Sequence, residues 1–396
     1  MDLIPNYYEF QNSAKLLSGE RALENIPYEL SVRGCSRPML MSDRVLEKFG
    51  AVATVTAALY QGGVEPAGSF LDIPADSAVA VVNEAAARFR QLNCDSIIAV
   101  GGGSVLDTAK GVAMLASHGA DDLMALMGCE AMDRGDPVPF VAIPTTAGTG
   151  SEATMVAVIK NPEKKLKMEF ISHFLLPDVA VLDPRMTATL PPRTTASTGM
   201  DALCHAIEAY TCLQRNPASD GYAVSAIELI REYLDKAVTN GKDLDARLAM
   251  ANAAYLAGAS FSNSMVGMVH AIGHALGGVC RVPHGDAMTI LLPWCMEFNM
   301  DTVGHLYHKL HLHLAGPEVF VRTPYEQHAA LSVQCVRDMT AKFHEVCGLP
   351  VTLSQAGVKR EDFEAVARTA LNDGAMIVNP RQVTFDNVMT ILDKAY

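Results

Sequence analysis

The sequence predicts an α/β domain over residues 1–192, followed by an all-helical domain over residues 193–396. Between about Arg37 and Asp183, short apolar runs alternate with longer helical patterns. This alternation is typical of βαβ units around a parallel sheet. After Leu190-Pro191-Pro192 the apolar residues recur every three or four positions, and Ala, Leu and Met dominate, which indicates helices. A length of 396 residues also suits two domains.

The strands of the first domain are expected where apolar runs end at turn residues. Their ranges are Met39–Met41, Ser96–Val100, Phe140–Ile143 and Val179–Leu182. Strands buried on both faces of a sheet read as apolar runs without strict alternation, and these four runs do so. The helical spacing of apolar residues predicts helices over Ala78–Leu92, Ala218–Val238 and Ala246–His274.

The composition describes a folded protein with an acidic surface. Hydrophobic residues make up 49% of the chain and charged residues 19%, which excludes disorder as the main state. The net charge is −13, with 31 Lys and Arg against 44 Asp and Glu, so we expect no nucleic-acid partner. No apolar stretch reaches the roughly 20 residues of a spanning helix, so we expect no membrane association. Nine cysteines without a CxxC pair, and no secretory signal at the N-terminus, predict a cytoplasmic protein with reduced thiols.

A glycine cluster marks the end of the strand at 96–100. Gly101-Gly102-Gly103-Ser104 opens a helix that continues through Lys110. Glycines let the backbone approach a ligand closely, and a helix start offers free N–H groups and the positive end of its dipole. This combination suits a pyrophosphate. The spacing is not GxGxxG, however, and ordinary turn chemistry explains the cluster equally well.

A second polar cluster, Thr145–Glu152, follows the strand at 140–143. Its hydroxyls and glycines either hold a ligand or form a polar loop that caps the next helix. Two such loops at strand ends support the first interpretation, because ligands of open α/β sheets bind there. Asp43 follows an earlier strand and has two interpretations of its own. It either accepts hydrogen bonds from an adenosine ribose, which favours NAD over NADP, or caps the helix that begins near Val45.

The helical half contains metal-ligand residue types in apolar surroundings. Asp201 and His205 are four residues apart, and so are His270 and His274, so each pair shares one face of a helix; His284 follows in a Pro-His-Gly turn. A single histidine there is best explained as a core residue. Five such side chains among Ala, Val, Met and Leu are costly to bury unless they bind a metal. A mixed nitrogen and oxygen set suits Fe(II) or Zn(II), and ligand type does not separate the two.

Four segments closely resemble the iron-containing (group III) alcohol dehydrogenases. They are Gly101–Lys110, Pro144–Glu152, Thr198–Glu208 and Gly267–Gly285, and the similarity extends from about Arg37 to the C-terminus. The resemblance implies a Rossmann-like N-terminal domain and an all-α C-terminal domain, the architecture shared with dehydroquinate synthase. It also implies a cleft between the domains that holds NAD and a metal.

The resemblance carries specific residues over by motif position. Asp201, His205, His270 and His284 match the four metal ligands, and His274 matches an active-site histidine beside the metal. The positions that match cofactor contacts are Asp43, Gly101, Gly102, Gly103, Ser104, Asp107, Thr145, Thr146, Thr154, Val156, Lys167 and Met186. One segment departs from the family pattern. Residues 72–76 replace a Pro-Asn-Pro motif, so its asparagine contact does not carry over.

The implied activity is hydride transfer between NAD and a small alcohol, aldehyde or ketone whose oxygen is polarised by the metal. His274 would relay the proton, and Phe261 and Asn263 would face the substrate pocket. A homo-oligomer, dimer or larger, is expected because many relatives are oligomeric. The alternatives are a glycerol or diol dehydrogenase, a metal-independent maleylacetate reductase, a dehydroquinate synthase-like cyclase and a non-catalytic binding protein. The Asp201 and His205 pair with the His270 to His274 motif argues against the cyclase, and the complete ligand set argues against the reductase. A non-catalytic protein would have to keep both sites without the chemistry that they serve together.

Overall fold

The computed structural model describes residues 5–126, 135–163 and 166–396. The chain divides into two units: Gln11–Thr189 form an α/β unit, and Met1–Phe10 with Leu190–Tyr396 form a helical unit. Within the described ranges, no helix is both long and apolar enough to cross a membrane.

The α/β unit is built on a six-stranded sheet in which every strand pair is parallel. Its strand order is β1-β8-β5-β4-β2-β3. The sheet strands are β1 (Lys15–Ser18), β2 (Pro38–Met41), β3 (Gly68–Phe70), β4 (Ser96–Gly101), β5 (Phe140–Pro144) and β8 (Val179–Leu182). The helices are α1 (Ile26–Val32), α2 (Arg44–Lys48), α3 (Ala51–Gln61), α4 (Val79–Gln91) and α5 (Gly103–His118). The four predicted strands and the helix at 78–92 are all present.

Helices cover both faces of this sheet, which explains why its strands lack strict alternation. Ile97 belongs to a core cluster with residues of α4 and α5. Its neighbour Ile98 belongs to a separate cluster with residues of α1 and α3. Successive side chains of a strand point to opposite faces, so both must be apolar here.

The order of strands reverses beside β2. The chain passes from β2 outward to β3 and then returns to β4 on the other side of β2. At such a switch point the loops after the two central strands diverge and leave a crevice at the carboxyl ends of the strands. The loops in question begin at Ser42 after β2 and at Gly102 after β4.

An antiparallel hairpin joins this unit, and the sequence analysis did not predict it. It consists of β6 (Val156–Asn161) and β7 (Leu166–Ile171). Ala157, Ile159 and Phe170 are buried in the same core cluster as α4 and α5. Lys160 and Lys167 lie opposite each other in the ladder and are exposed, so the hairpin presents one apolar face and one polar face.

From residue 190 onward the second unit consists of helices and connecting turns without strands, as the fold-class prediction expects. Its helices are α6 (Pro192–Thr211), α7 (Pro217–Thr239), α8 (Leu244–Ser262), α9 (Met268–Cys280), α10 (His284–Ala315), α11 (Pro317–Arg322), α12 (His328–Cys347), α13 (Phe363–Ala370) and α14 (Phe385–Ala395). At the N-terminus, the ring of Phe10 packs against Tyr222 of α7.

The helical pattern at 246–274 forms two helices separated by a break at 263–267. Met265 adopts a left-handed backbone conformation with φ of 72°, which ends helical geometry there. Carbonyls at the break that have no partner within a helix accept hydrogen bonds from other segments. Asn216 Nδ2 donates to Asn263 O at 2.9 Å, and the Cys212 thiol donates to Ser264 O. Apolar spacing continues across the break, so periodicity alone does not reveal it.

Candidate metal centre and cofactor loops

Four side chains of the helical unit converge on one point. Asp201 and His205 come from α6, His270 comes from α9, and His284 is the first residue of α10. One ligand atom from each residue lies within 4.8 Å of the other three. The shortest separation involving the carboxylate is 3.3 Å, between Asp201 Oδ1 and His284 Nε2. The structure thus brings together the four predicted ligands.

The ligand atoms of this group lack protein partners. Among the described residues, Asp201 Oδ1, His205 Nδ1 and His270 Nε2 are buried and have no hydrogen-bond partner. An unpaired buried polar atom costs about 1–3 kcal/mol, so three at one point need an explanation. A divalent cation satisfies all of them at once, and a set of imidazoles with one carboxylate suits first-row transition metals. The residues present therefore fit the metal that the sequence predicts.

The protonation states suit metal binding. Burial lowers the pKa of His205 to about 3 and also lowers the pKa of His270, so both imidazoles are neutral. Burial would raise the pKa of Asp201, but the surrounding His205, His284 and His270 hold that pKa well below its usual value. Metal ligation needs neutral imidazoles and an ionised carboxylate, which is the combination that these shifts produce.

Close packing of α10 on α6 places His284 next to the other ligands. A Cβ on Gly285 would lie 2.5 Å from the backbone oxygen of Ser197, so only glycine permits this approach. Asp286 fixes the same contact, because it accepts hydrogen bonds from Ser197 Oγ and Arg193 Nη2, both at 2.8 Å. The Pro-His-Gly sequence is thus explained by the way α10 begins.

His274, the predicted catalytic residue, lies beside this group. It is one turn beyond His270 on α9, and its ring centroid lies 5.5 Å from that of His284. Its Nδ1 is 2.8 Å from Asp373 Oδ2. An ionised carboxylate can only accept, so this contact places the proton of the neutral ring on Nδ1. Nε2 is then the ring nitrogen that carries no proton.

In the α/β unit, the glycine cluster forms a tight turn at the start of α5. A Cβ on Gly101 would lie 2.3 Å from Val105 Cβ, so the turn requires glycine at this position. A Cβ on Gly103 would lie 3.1 Å from Thr149, and Thr145 N donates to Gly101 O at 3.0 Å. The two predicted loops therefore lie against each other at the carboxyl ends of β4 and β5. Ligands of open α/β sheets bind at this edge, next to the switch point.

Hydrogen bonds within the unit hold the second loop in place. Asp107 accepts from Ser151 Oγ at 2.7 Å and from Val158 N at 3.1 Å, so both of its oxygens bind the protein. Lys110 is fully buried and donates to Thr154 O and Thr154 Oγ1, both at 2.9 Å. Burial lowers the pKa of Lys110 to about 8. Asp107 and Lys110 thus connect the second loop and the residues after it to α5.

The other predicted cofactor positions are dispersed around this edge. Asp43 caps α2, accepting from Leu46 N at 2.8 Å, as the simpler interpretation of its position predicts. Lys167 is exposed and pairs with Asp76 at 2.7 Å. Met186 is buried in the core cluster beside α1 and α3. Thr146 is half-buried close to Gly102, and Val156 is half-buried at the start of β6. Cofactor contacts at these positions stay predictions.

The segment that departs from the family pattern makes its own contacts. Asp72 pairs with Arg44 at 2.8 Å. Asp76 N donates to Ser104 Oγ at 3.1 Å, so this segment reaches the glycine turn.

Two further site residues were missed by the sequence analysis. Asp373 orients His274, and Glu208 contacts His270 Nδ1 at 2.6 Å. A signal for Glu208 was present, since it follows His205 by three residues and shares its helix face. Asp373 lies far from His274 in the sequence and gave no such signal. Phe261, expected in the pocket, stacks on His205 with ring centroids 4.3 Å apart. The Asn263 amide donates to Ala259 O at 2.8 Å, at the end of α8.

Two family models match the chain. The model for iron-containing alcohol dehydrogenase matches residues 13–184, and the C-terminal model of the Fe-containing alcohol dehydrogenase family matches residues 195–396. The chain belongs to the iron-containing alcohol dehydrogenase family.

Individual relatives align over nearly the whole chain. The NAD-dependent methanol dehydrogenase of Bacillus methanolicus is 35% identical over 381 residues, which cover 95% of this chain and 97% of that protein. The 1,3-propanediol dehydrogenase of Klebsiella pneumoniae is 36% identical over 404 residues, covering 100% of this chain and 98% of that protein. A crystal structure of a 1,3-propanediol oxidoreductase matches with a TM-score of 0.93 at 33% identity, covering 99% and 100% of the two chains.

These findings confirm the predicted family and fold class, and they confirm that the protein is an alcohol dehydrogenase of an NAD-dependent, iron-containing family. The roles of individual residues stay predictions.

Proposed function

We propose that this protein interconverts a small alcohol and its aldehyde or ketone, with NAD(H) as the redox cofactor and Fe(II) as the metal. Zn(II) is the alternative metal, since the donor set accommodates both. The observation that carries the proposal is the group of buried, unpartnered ligand atoms on Asp201, His205 and His270, with His284 beside them.

The residues of the helical unit have distinct tasks in this proposal. Asp201, His205, His270 and His284 would hold the metal, which when bound supplies Lewis-acid chemistry that lowers the pKa of an alcohol hydroxyl. His274 would accept the hydroxyl proton at Nε2 and return it in the reverse direction. Asp373 would hold the other ring nitrogen, so that the imidazole keeps one orientation and its imidazolium form is stabilised.

The α/β unit would bind the dinucleotide along the edge formed by the two polar loops. The free N–H groups at the start of α5, from Gly103 and Ser104, would bind the pyrophosphate. The second loop, with Thr145 and Thr146, lies against this turn and would contact the same cofactor. The Asp43 carboxylate would repel a 2′-phosphate and so favour NAD over NADP.

The proposed substrate is a short primary alcohol or aldehyde, with a diol as the alternative. Relatives named for methanol and for 1,3-propanediol support this range. We also propose a homo-oligomer, dimer or larger, in the cytoplasm. The described cysteines are free thiols, which supports a reducing compartment.

Metal analysis of anaerobically purified protein, paired with NADH oxidation against a panel of short aldehydes, tests the proposal. We expect about one Fe or Zn per chain, turnover lost on chelation and regained on adding one of the two metals. Bound NAD and metal without net redox would instead indicate a cyclase-like reaction. A protein with neither metal nor turnover would contradict the four-ligand assignment.

A further inference from the structure

Glu208 is a buried carboxylate that the set of four ligands does not use. It lies on α6, three residues after His205 and seven after Asp201, so all three side chains lie on one face of the helix. It is 6% exposed. An ionised carboxylate is expensive to bury and needs strong hydrogen bonds in return.

Glu208 binds the imidazole of His270 on the side away from the other ligands. Glu208 Oε2 lies 2.6 Å from His270 Nδ1. Both oxygens of Glu208 also accept from backbone N–H groups at the start of α9, which favours the ionised carboxylate. An ionised carboxylate accepts from Nδ1, so Nδ1 carries the ring proton and Nε2 keeps its lone pair. Nε2 is the nitrogen that lies 3.9 Å from Asp201 Oδ1 and has no hydrogen-bond partner among the described residues. The Cys204 thiol also approaches Nδ1, but at 3.9 Å it competes poorly with the carboxylate.

The same carboxylate fixes the helix that carries His270. Glu208 Oε1 accepts from Val269 N at 2.8 Å, and Oε2 accepts from His270 N at 3.3 Å. Asn379 Oδ1 accepts from Met268 N at 3.3 Å, so the two side chains together bind three free N–H groups at the start of α9. Glu208 therefore sets both the position of the His270 backbone and the orientation of its ring.

The backbone at the start of α9 is shaped around this carboxylate. A Cβ on Gly267 would lie 2.9 Å from Glu208 Oε1 and 3.1 Å from Asn379 Oδ1. A side chain at position 267 would displace one or both of these oxygens from the start of α9. Three separate segments of the helical unit therefore contribute to this contact.

We propose that Glu208 is a positioning residue for the metal site, which selects the His270 tautomer whose Nε2 can bind the metal and holds the ring on its target. The inference rests on the proposed function, since it assumes that His270 is a ligand. Outer-shell carboxylates that accept from a ligating histidine typically contribute 10–100-fold to metal affinity.

Glu208→Gln separates this role from simple helix capping. If its Oε1 continues to accept from Val269 N, the amide nitrogen faces His270 and donates to Nδ1. The ring proton then moves to Nε2, which blocks metal binding. We expect the affinity for Fe(II) and Zn(II), measured by competition with a chelator under anaerobic conditions, to fall roughly 10–100-fold.

Thr211→Val is the matched control. Thr211 is buried on α6, one turn beyond Glu208, and its hydroxyl donates to Ile207 O at 2.8 Å within the helix. The control removes a buried hydrogen bond from the same helix without touching a ligand, so metal affinity should stay at the wild-type value. Thermal unfolding of the metal-free proteins reports the helix-capping contribution separately.

The possible outcomes distinguish the inference from the function on which it rests. Wild-type protein that binds no metal contradicts the proposed function. If Glu208→Gln folds and binds metal with the affinity of the wild type, the inference is wrong but the proposed function stands. The inference is also wrong if Thr211→Val loses as much metal affinity as Glu208→Gln. If Glu208→Gln does not fold, imidazole ¹⁵N shifts of the metal-free wild type, with His270→Gln for assignment, decide the question. A proton on His270 Nδ1 supports the inference, and a proton on Nε2 overturns it.

Discussion

The helical unit contains two groups of histidines that differ in one respect. In the first, His205, His270 and His284 surround Asp201, and among the described residues Asp201 Oδ1, His205 Nδ1 and His270 Nε2 are buried without a hydrogen-bond partner. In the second, His311 Nδ1 lies 2.8 Å from His328 Nδ1, so the two imidazoles share one proton between them. The ring of His308 packs edge-on against His328 at 4.5 Å.

The difference indicates that histidine density alone does not mark a candidate metal site. Histidines are denser in sequence around the second group, since residues 305, 308, 311 and 313 of α10 are all histidines. Its two buried rings satisfy each other, and Phe320 stacks on His328 with ring centroids 4.1 Å apart. The first group is spread over three helices and has a carboxylate at its centre. Unsatisfied atoms that point at one place, rather than the number of imidazoles, identify the site.

The largest expected effect comes from removing the carboxylate of the first group. Asp201→Ala should abolish stoichiometric metal binding, with a loss of affinity greater than the roughly 10–100-fold typical of an outer-shell partner. Elemental analysis and chelator competition measure this directly. The matched variant His311→Gln, in the second group, should bind metal normally. A full complement of metal in Asp201→Ala would show that the carboxylate is not a ligand.

Removing the histidine beside the first group should affect rate but not metal. His274→Ala should lower turnover by about 10²–10⁴-fold, the usual contribution of a general acid or base. Steady-state NADH oxidation measured together with metal content provides the test. Asp373→Asn should lower turnover as well, because an amide can donate to Nδ1 and reverse the tautomer. Parallel loss of metal in His274→Ala would make His274 a ligand.

The second group should respond as a structural pair. His328→Leu leaves His311 Nδ1 buried without its partner, which should lower the free energy of unfolding by about 1–3 kcal/mol. Urea unfolding of metal-free protein measures this change. His313→Ala is the control, because His313 contacts Glu228 at the surface and such pairs contribute little. Unchanged stability in His328→Leu would refute the idea that the paired nitrogens matter.

The smallest expected effect is on how the free energy of unfolding depends on pH. Burial lowers the pKa of His311 in the folded state, with further lowering by His328 and His308. Near pH 6.5, His311 is protonated in the unfolded chain but stays neutral in the folded protein. The free energy of unfolding therefore decreases as the pH falls through that value. Between about pH 7.5 and pH 5.5, His311→Phe should lose less stability than the wild type. An equal or steeper loss in the variant would contradict this assignment.

The fold was predictable where local sequence determines it. The four predicted strands end at turn residues, and their apolar runs reflect burial on both faces. The hairpin at 156–171 was missed although its signal was present, since residues 156–159 are an apolar run and residues 166–170 alternate apolar and charged residues. The break between α8 and α9 is stabilised by Asn216 and Cys212, which are distant in sequence. Asn263, Ser264 and Gly267 are a local signal for it, which the continuing apolar spacing obscured.

The candidate site was only partly predictable from the sequence. Spacing placed Asp201 with His205, and His270 with His274, on shared helix faces. The resemblance, not the spacing, assigned His270 as a metal ligand and His274 as a catalytic residue, and both roles stay predictions. The structure adds the physical basis for that separation: Glu208 leaves His270 Nε2 free within the ligand group, whereas Asp373 holds His274 outside it. Such long-range contacts are invisible in a single sequence.

The order of the ligands along the chain has a consequence for biosynthesis. Asp201 and His205 leave the ribosome first, whereas His284 emerges much later, and Asn379, which helps to hold the start of α9, comes near the end. A nascent chain therefore has no complete set of the proposed ligands until nearly half of the segment 190–396 has been made. If this group binds the metal as proposed, loading follows the synthesis of His284, and the ion would link segments that lie far apart in the chain.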